Sequence, residues 1–287
     1  MLALRGAVIH SPFDLFGHGI EIIGDALVTV SQDGDILEVI DLGKIEYAVA
    51  LAKCGIERSD VLVLAESEAI LPGFIDVHLH APQYSYTGTA TDRPLMDWLE
   101  HYTFPAESSH NEDLVWAEEV YTKLVRRLLA NGTTTAVYFA TMHARPTMLL
   151  ADVCFRTGQR ALIGKVNMDR NAPDNYVEST DESIAATELV IAHIRSKGSP
   201  ELLLPVITPR FVPTCTPGKS SPPHHPGLDR RITPLNAFHR GTMAAAASPL
   251  ARRNPPPSKA PRSQHRAETA AAHGRPPAAG PPGTLFA

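Results

Sequence analysis

The stretch that decides the fold lies at residues 72–80 and reads Pro72-Gly73-Phe74-Ile75-Asp76-Val77-His78-Leu79-His80. Its alternation of residue types predicts a β-strand, in which residues two apart point to the same face. His78 and His80 are therefore expected to project side by side. The same pattern predicts that Ile75, Val77 and Leu79 pack on the opposite, buried face of the strand.

Two imidazoles on one strand face can each give a nitrogen to the same metal ion. A metal held there would lower the pKa of a bound water to about 7 and make a hydroxide nucleophile, so the pattern indicates a hydrolase. The structural alternative is a pair of strand histidines that hydrogen-bond to neighbouring backbone. Asp76 would either orient an imidazole N–H or bond to the next strand.

Composition places the chain among ordinary globular proteins over most of its length. The chain has 287 residues, of which 44% are hydrophobic and 20% are charged. Its three cysteines, Cys54, Cys154 and Cys215, are widely spaced and odd in number, which favours a reducing compartment over a disulfide framework. The start of the chain lacks the apolar core of a signal peptide, and no run approaches the roughly 20 apolar residues of a membrane span. These features predict a soluble, cytoplasmic protein without a membrane partner.

The last quarter of the chain differs in kind from the rest. Residues 216–287 contain 10 Lys/Arg and 2 Asp/Glu, whereas residues 1–215 contain 16 and 29. Fourteen of the 25 prolines also follow Thr216. Few large apolar residues remain there to bury a sheet, so residues 217–287 are predicted to form a disordered tail.

Two kinds of pattern precede that tail. Residues 1–65 show short β-like runs at 7–10, 26–30 and 36–40, turn residues at Gly24-Asp25 and at Asp33-Gly34-Asp35, and a short helix at 44–54. Residues 66–216 alternate between strands, at 75–80, 134–140, 161–168 and 202–211, and helices, of which the clearest run over 112–130 and 180–198. The chain is therefore predicted to be α/β, with a small β-rich N-terminal domain. Its second domain would hold four of the eight strands of a (β/α)8 TIM-type barrel.

Four motifs carry a resemblance to a known family. They are residues 71–85, 102–107, 131–135 and 207–211, which read LPGFIDVHLHAPQYS, YTFPAE, NGTTT and ITPRF. In these motifs, and over residues 1–216 in all, the chain is similar to the guanine deaminases of the metal-dependent amidohydrolase superfamily. The resemblance implies a zinc-bearing (β/α)8 barrel that hydrolyses guanine to xanthine and ammonia, and a homodimer.

The resemblance also implies roles for single residues. His78 and His80 would bind zinc, and Gln83, Arg210 and Phe211 would bind guanine. The chemistry agrees, because an Arg can donate in fork fashion to purine O6 and N7. A glutamine can read a second edge of the base, and a phenylalanine offers an apolar face to the ring.

Simpler interpretations stand beside these roles. Arg210 could be a strand-end cation paired with a surface acid, and Gln83 an ordinary polar loop residue. Four aromatic residues are predicted to serve packing rather than ligand contacts: Tyr84, Trp98, Tyr102 and Phe104. Three histidines without partner spacing are predicted to lie on the surface: His101, His110 and His143.

The family takes further site residues from later strands, namely a metal-binding His followed by a proton-shuttling Glu, another His and a metal-binding Asp. No matching stretch follows Thr216, so no catalytic residue is assigned and the activity is predicted to be impaired. One alternative is an inactive, truncated product whose basic tail was read out of frame or through an intron. Nucleic acid is a poor partner for that tail, which has only two aromatics. Another alternative is a related amidohydrolase that acts on another purine or a triazine.

Overall fold

The N-terminal part of the chain folds into a mixed sheet. The structure, a computed structural model, describes residues 1–11 and 19–216. The sheet has the order β3-β2-β1-β4, with β5 also paired to β1, and one helix follows β3. The elements are β1 (Leu2–His10), β2 (Glu21–Val30), β3 (Ile36–Asp41), α1 (Tyr47–Cys54), β4 (Val61–Val63) and β5 (Ala69–Ile70). The predicted strands and helix of this part are therefore confirmed.

One predicted turn in this sheet is wrong. Gly24 and Asp25 lie inside β2, where the pairing with β1 shifts register and both residues face Ala7 alone. This is a β-bulge, which one extra residue on a strand creates without ending the strand. The Asp25 carboxylate accepts two hydrogen bonds from Arg5, at 3.0 and 2.7 Å. The bulge places Asp25 beside Arg5. Gly24 and Asp25 are common in turns, but here they lie within a strand.

A second, parallel sheet follows, built by strand-helix alternation as the sequence predicts. Four strands are in the order β10-β8-β7-β6, and a further pair, β11-β9, continues beyond β10 and β8. Its strands are β6 (Phe74–His80), β7 (Thr133–Phe139), β8 (Arg160–Gly164), β9 (Val166–Asn167), β10 (Leu203–Pro205) and β11 (Thr208–Pro209). Its helices are α2 (Leu95–Trp98), α3 (Phe104–Glu112), α4 (Leu114–Ala130), α5 (Ala144–Thr157) and α6 (Thr180–Ser196). The apolar faces of α4, α5 and α6 pack on this sheet to form the main core.

The longer predicted strands are each split in two. The strand predicted over 161–168 breaks at Lys165, between β8 and β9, and the one predicted over 202–211 breaks between β10 and β11. The two breaks lie beside each other, since Thr208 donates its hydroxyl to the Lys165 backbone oxygen at 2.6 Å. The two strands are therefore interrupted at adjacent positions in the sheet.

Capping residues set where the long helices begin. Asp113 has extended backbone and accepts hydrogen bonds from the N–H groups of Val115 and Trp116. It therefore separates α3 from α4. The sequence predicts a helix that begins at residue 112, whereas α4 begins at Leu114. Ser179 and Glu182 form a capping box at the start of α6.

The predicted burial of one face of β6 is wrong in part. Ile75 and Val77 are 66% and 55% exposed, and only Leu79 packs against the main core. In the described residues β6 is the edge strand of its sheet, so no neighbouring unit covers that part of its outer face.

The proposed boundaries at 65 and 216 remain predictions, although β5, at residues 69–70, pairs with β1 of the N-terminal sheet. The predicted tail at 217–287 lies outside the described residues. No helix that the structure describes is both long enough and apolar enough to cross a membrane.

Candidate functional site

His78 and His80 lie together at the carboxyl end of β6, as the sequence predicts. Their ring centroids are 5.2 Å apart, and both rings pack on Phe139 of the neighbouring strand, at 4.5 and 4.9 Å. The Asp76 carboxylate accepts a hydrogen bond from the backbone N–H of His78 at 3.0 Å. This contact fixes the backbone of the histidine pair.

The spacing of the two rings suits a shared metal ion. Metal–nitrogen bonds of roughly 2 Å and tetrahedral angles place two bound imidazole centroids about 5 Å apart. The observed separation of 5.2 Å therefore fits such an ion. Among residues 1–11 and 19–216, no group of three or more His, Cys, Asp or Glu side chains is placed to hold a metal.

Arg210 follows β11 directly and is buried, with its charge matched by Glu107 of α3. The guanidinium Nη1 and Nη2 donate to the two carboxylate oxygens of Glu107, at 2.7 and 2.9 Å. The side chains of Arg210 and Glu107 are only 4% and 0% exposed. Burial is the largest single influence and lowers the pKa of Arg210, but the charge and hydrogen bonds of Glu107, together with Tyr176 and Tyr86, leave that pKa raised. Arg210 therefore keeps its positive charge within the protein interior.

Two aromatic residues surround this ion pair. The Tyr176 hydroxyl donates to Oε2 of Glu107 and accepts from the backbone N–H of Met142 at 3.2 Å. The Arg210 guanidinium lies over the ring of Phe104, 5.1 Å from its centroid. Burial, with the charge of Glu107, raises the pKa of Tyr176 well above its ordinary value, so the hydroxyl stays a donor. The surface acid suggested as a partner for Arg210 is instead a buried one.

Glu107 and Tyr176 received no role in the sequence analysis. Glu107 ends the motif at 102–107, and a signal for it exists: Phe104, Glu107 and His110 fall on one face of α3, and all three are buried. An acid at a core position of a helix requires a partner. Tyr176 lies in a short 3-10 helix, Asp174–Tyr176, and carries no comparable signal.

Phe211 and Gln83 each follow the carboxyl end of a strand, Phe211 after β11 and Gln83 after β6. Phe211 and Phe104 line an open groove of about 580 Å³, together with Met96, Glu100, Asn171, Ala172, Pro173 and Pro213. Gln83 is half-buried in the 3-10 helix that follows His80, Ala81–Tyr86. Within the described residues, no hydrogen bond joins its side chain to Arg210. One apolar cluster links the two parts of the site, since it contains both Phe104 and Phe139.

Of the three histidines predicted to lie on the surface, only His101 does so. His110 is fully buried between Trp116 and Tyr121, at centroid distances of 4.6 and 5.0 Å, and His143 is half-buried near Tyr176. Phe104 packs in the core, as predicted. The error has a clear reason, because the face of α3 that bears His110 turns inward.

Parallel β/α units, with a histidine pair and a buried arginine at the carboxyl ends of the strands, are the arrangement of an enzyme of TIM-barrel type. The sequence profile of the Amidohydrolase family matches residues 69–220. The chain belongs to the amidohydrolase family, whose members are generally metal-dependent.

Several known proteins are similar to this chain. Guanine deaminases of Dictyostelium discoideum and Homo sapiens are 44% and 41% identical to it, over 74% of this chain in each case and over 47% and 45% of their own lengths. The structure of a guanine deaminase from C. acetobutylicum, solved with guanine in its active site, is 32% identical and superposes with a TM-score of 0.63, covering 75% of this chain and 47% of that one. The chain thus spans about half the length of the curated relatives it matches.

Proposed function

We propose that this chain serves a guanine deaminase reaction, the zinc-dependent hydrolysis of guanine to xanthine and ammonia. The observation that carries the proposal is the buried Arg210, held by Glu107 at the strand ends beside Phe211. Identity of 40–45% to several guanine deaminases supports it. A guanine-bound relative with the same fold supports guanine as the substrate.

Recognition of guanine would rest on three side chains. The pairing with Glu107 leaves the Nε–H and one N–H on each Nη nitrogen of Arg210, and the Nε–H with the adjacent Nη2–H can donate to purine O6 and N7. Gln83 can both donate to and accept from another edge of the base. Phe211 can pack on the ring from the groove side. Hydrogen-bonding groups of this kind reject bases that lack the matching atoms.

His78 and His80 would hold the zinc ion. Bound zinc would lower the pKa of a water to about 7, so that water can attack the purine C2 and ammonia can leave with the former amino nitrogen. Catalytic zinc usually has three protein ligands. Because the described residues offer two, we propose that metal binding is weak and turnover slow.

Binding and turnover measured separately would test the proposal. We expect the full chain to bind guanine at least about tenfold more tightly than adenine, and Arg210→Gln to remove most of this preference. Equal affinity for the two purines would overturn the assignment.

Xanthine formation with added zinc should stay close to that of a His80→Ala control. Turnover well above this control would contradict the proposed impairment but support the proposed reaction.

Two other functions receive less support. Triazine hydrolases are only 16% identical to the chain, so that likeness shows the fold alone. An inactive product with a partner-binding tail depends on residues that the structure does not describe.

We also propose a cytoplasmic, homodimeric protein. Free thiols at Cys54, Cys154 and Cys215 are compatible with a reducing compartment, whereas the dimer rests on the family resemblance.

A further inference from the structure

We propose that Glu107 makes the Arg210 site selective for uncharged purines over anionic ones. The inference rests on the proposed recognition of a purine by Arg210 and adds a role for the carboxylate behind it. A buried arginine alone would attract any small anion, because its charge is poorly screened. Arg210 is instead neutralised at contact distance, so the pair presents hydrogen-bond donors without net charge.

The geometry of the pair leaves a donor fork in place. Glu107 engages one N–H on Nη1 and one on Nη2, through its separate carboxylate oxygens. A guanidinium has five N–H groups, so three remain, and of these the Nε–H and the neighbouring Nη2–H form a fork that can meet a ligand. Glu107 therefore orients Arg210 and fixes which of its edges a base can meet. It acts as a positioning residue.

The carboxylate itself is held in place and buried. Oε2 of Glu107 also accepts from Tyr176, and the side chain of Glu107 is fully buried. A negative ligand that reaches Arg210 would feel this second charge in a medium of low dielectric constant, where like charges repel strongly. Glu100, which lines the groove beside Phe211, adds to this repulsion.

Charge selectivity would also suit the proposed reaction. The O6 and N7 acceptors of neutral guanine match two N–H donors, whereas an anionic purine gains little from a site of zero net charge. Xanthine is more acidic than guanine, so its anion would be held less tightly than the substrate. The ion pair would therefore favour release of the product.

The test compares ligands of different charge on the full chain and on three variants. The ligands are guanine, urate as an anionic purine, and inorganic sulfate, with binding measured by calorimetry. Wild type should prefer guanine to urate. Glu107→Gln should raise the ratio of urate to guanine affinity by about tenfold or more, and it should gain sulfate binding. Glu107→Asp keeps the charge and should keep a ratio near that of wild type.

Asp25→Asn is the matched control, because it breaks the other arginine-carboxylate fork, that of Arg5, away from the site. It should leave the ligand ratio unchanged. A purely structural role of Glu107 would weaken guanine and urate binding equally, and that result would overturn the inference.

The outcomes separate this inference from the proposed function. If wild type binds no purine, the proposed function fails and the inference fails with it. If wild type prefers guanine but Glu107→Gln leaves the ratio of urate to guanine affinity unchanged, the inference alone fails. If Glu107→Gln does not fold, wild type is titrated with xanthine from mildly acidic to mildly alkaline pH. Its affinity should fall as xanthine loses a proton, while guanine affinity holds. Constant xanthine affinity would overturn the inference.

Discussion

Two histidines near the Glu107–Arg210 pair have pKa values below the ordinary one. Burial lowers the pKa of His110, whose Nδ1–H donates to the backbone oxygen of Ala106 at 2.7 Å. Burial, followed by the positive charge of Lys165, lowers the pKa of His143. Both groups resist protonation in the folded state, so they couple folding to pH.

The first prediction is a loss of stability in acid that depends on His110. The unfolded chain binds a proton at His110 below about pH 6.5, whereas the folded chain binds it only at a lower pH. The contribution of His110 to the free energy of unfolding is therefore fully present above about pH 6.5. It falls as the pH drops towards the pKa of His110 in the folded state, by up to about 1.4 kcal/mol per pH unit. Urea unfolding at several pH values measures this slope. His110→Phe keeps a ring beside Tyr121 and should flatten the slope; an unchanged slope would contradict the prediction.

Lys165 is a second buried charge, and its effect on the free energy of unfolding depends on its partner. Its Nζ contacts both oxygens of Glu178, at 2.6 and 2.7 Å, and the lysine side chain is fully buried. Burial lowers the pKa of Lys165, although the charge of Glu178 opposes this shift. The pair resembles a buried salt bridge, in which losing one partner costs more than replacing both.

The second prediction follows from this asymmetry. Glu178→Gln should lower the free energy of unfolding by about 3 kcal/mol, because Lys165 would be left buried without a counter-charge. The double variant Lys165→Met with Glu178→Leu should lose much less. Chemical denaturation of the three proteins measures both effects. A double variant as unstable as Glu178→Gln would show that the cost does not come from the unpaired charge.

At the scale of elements, close approach between strands limits the side chain that can stand at the end of β8. A Cβ on Gly164, at the end of β8, would lie 2.4 Å from Oγ1 of Thr208 and 2.6 Å from the backbone oxygen of Val206. Gly24, inside β2, has open space around the same position. The two glycines thus differ in the space that is open to a Cβ atom.

The third prediction compares these glycines. Gly164→Ala should lower the free energy of unfolding by about 1 to 3 kcal/mol, since the backbone of β10 and β11 must shift to admit a methyl group. Gly24→Ala should change it by less than about 0.5 kcal/mol. Thermal and urea unfolding of both variants measure the difference. Equal losses would mean that the close approach at Gly164 has no cost of its own.

The elements themselves could be predicted from sequence because their signals are local. The helical spacing of Leu124 and Leu128 and the alternation around His78 are read within a few residues. The bulge at Gly24-Asp25 and the breaks in two strands could not be predicted in this way. They depend on which strand lies alongside, and that information is absent from a local pattern.

At the scale of the whole molecule, the site combines parts from distant regions of the sequence. The histidine pair could be predicted, because its residues are neighbours on one strand. The Glu107–Arg210 pair joins residues 103 positions apart, so no spacing rule reveals it. The exposure of Ile75 and Val77 was missed for a similar reason, since burial of a strand depends on what covers its sheet.

The described part of the barrel leaves β6 and β10 at the edges of its parallel sheet. Open strand edges beside exposed apolar residues favour pairing between chains, and closed barrels avoid this by having no edges. Ile75 and Val77 add such a surface next to the edge of β6. A protein with this surface should associate as its concentration rises.

The last prediction tests this surface with a single charge. Val77→Lys should reduce concentration-dependent association in light scattering, because a lysine on an edge strand opposes strand pairing. Leu189→Lys is the matched control, since Leu189 is 61% exposed on α6, away from any strand edge. It should associate like wild type, because isolated exposed apolar residues are common on stable surfaces. If both variants reduce association equally, net charge and not the edge of β6 controls it. If Val77→Lys alone does so, the uncovered edge is the surface through which the chains associate.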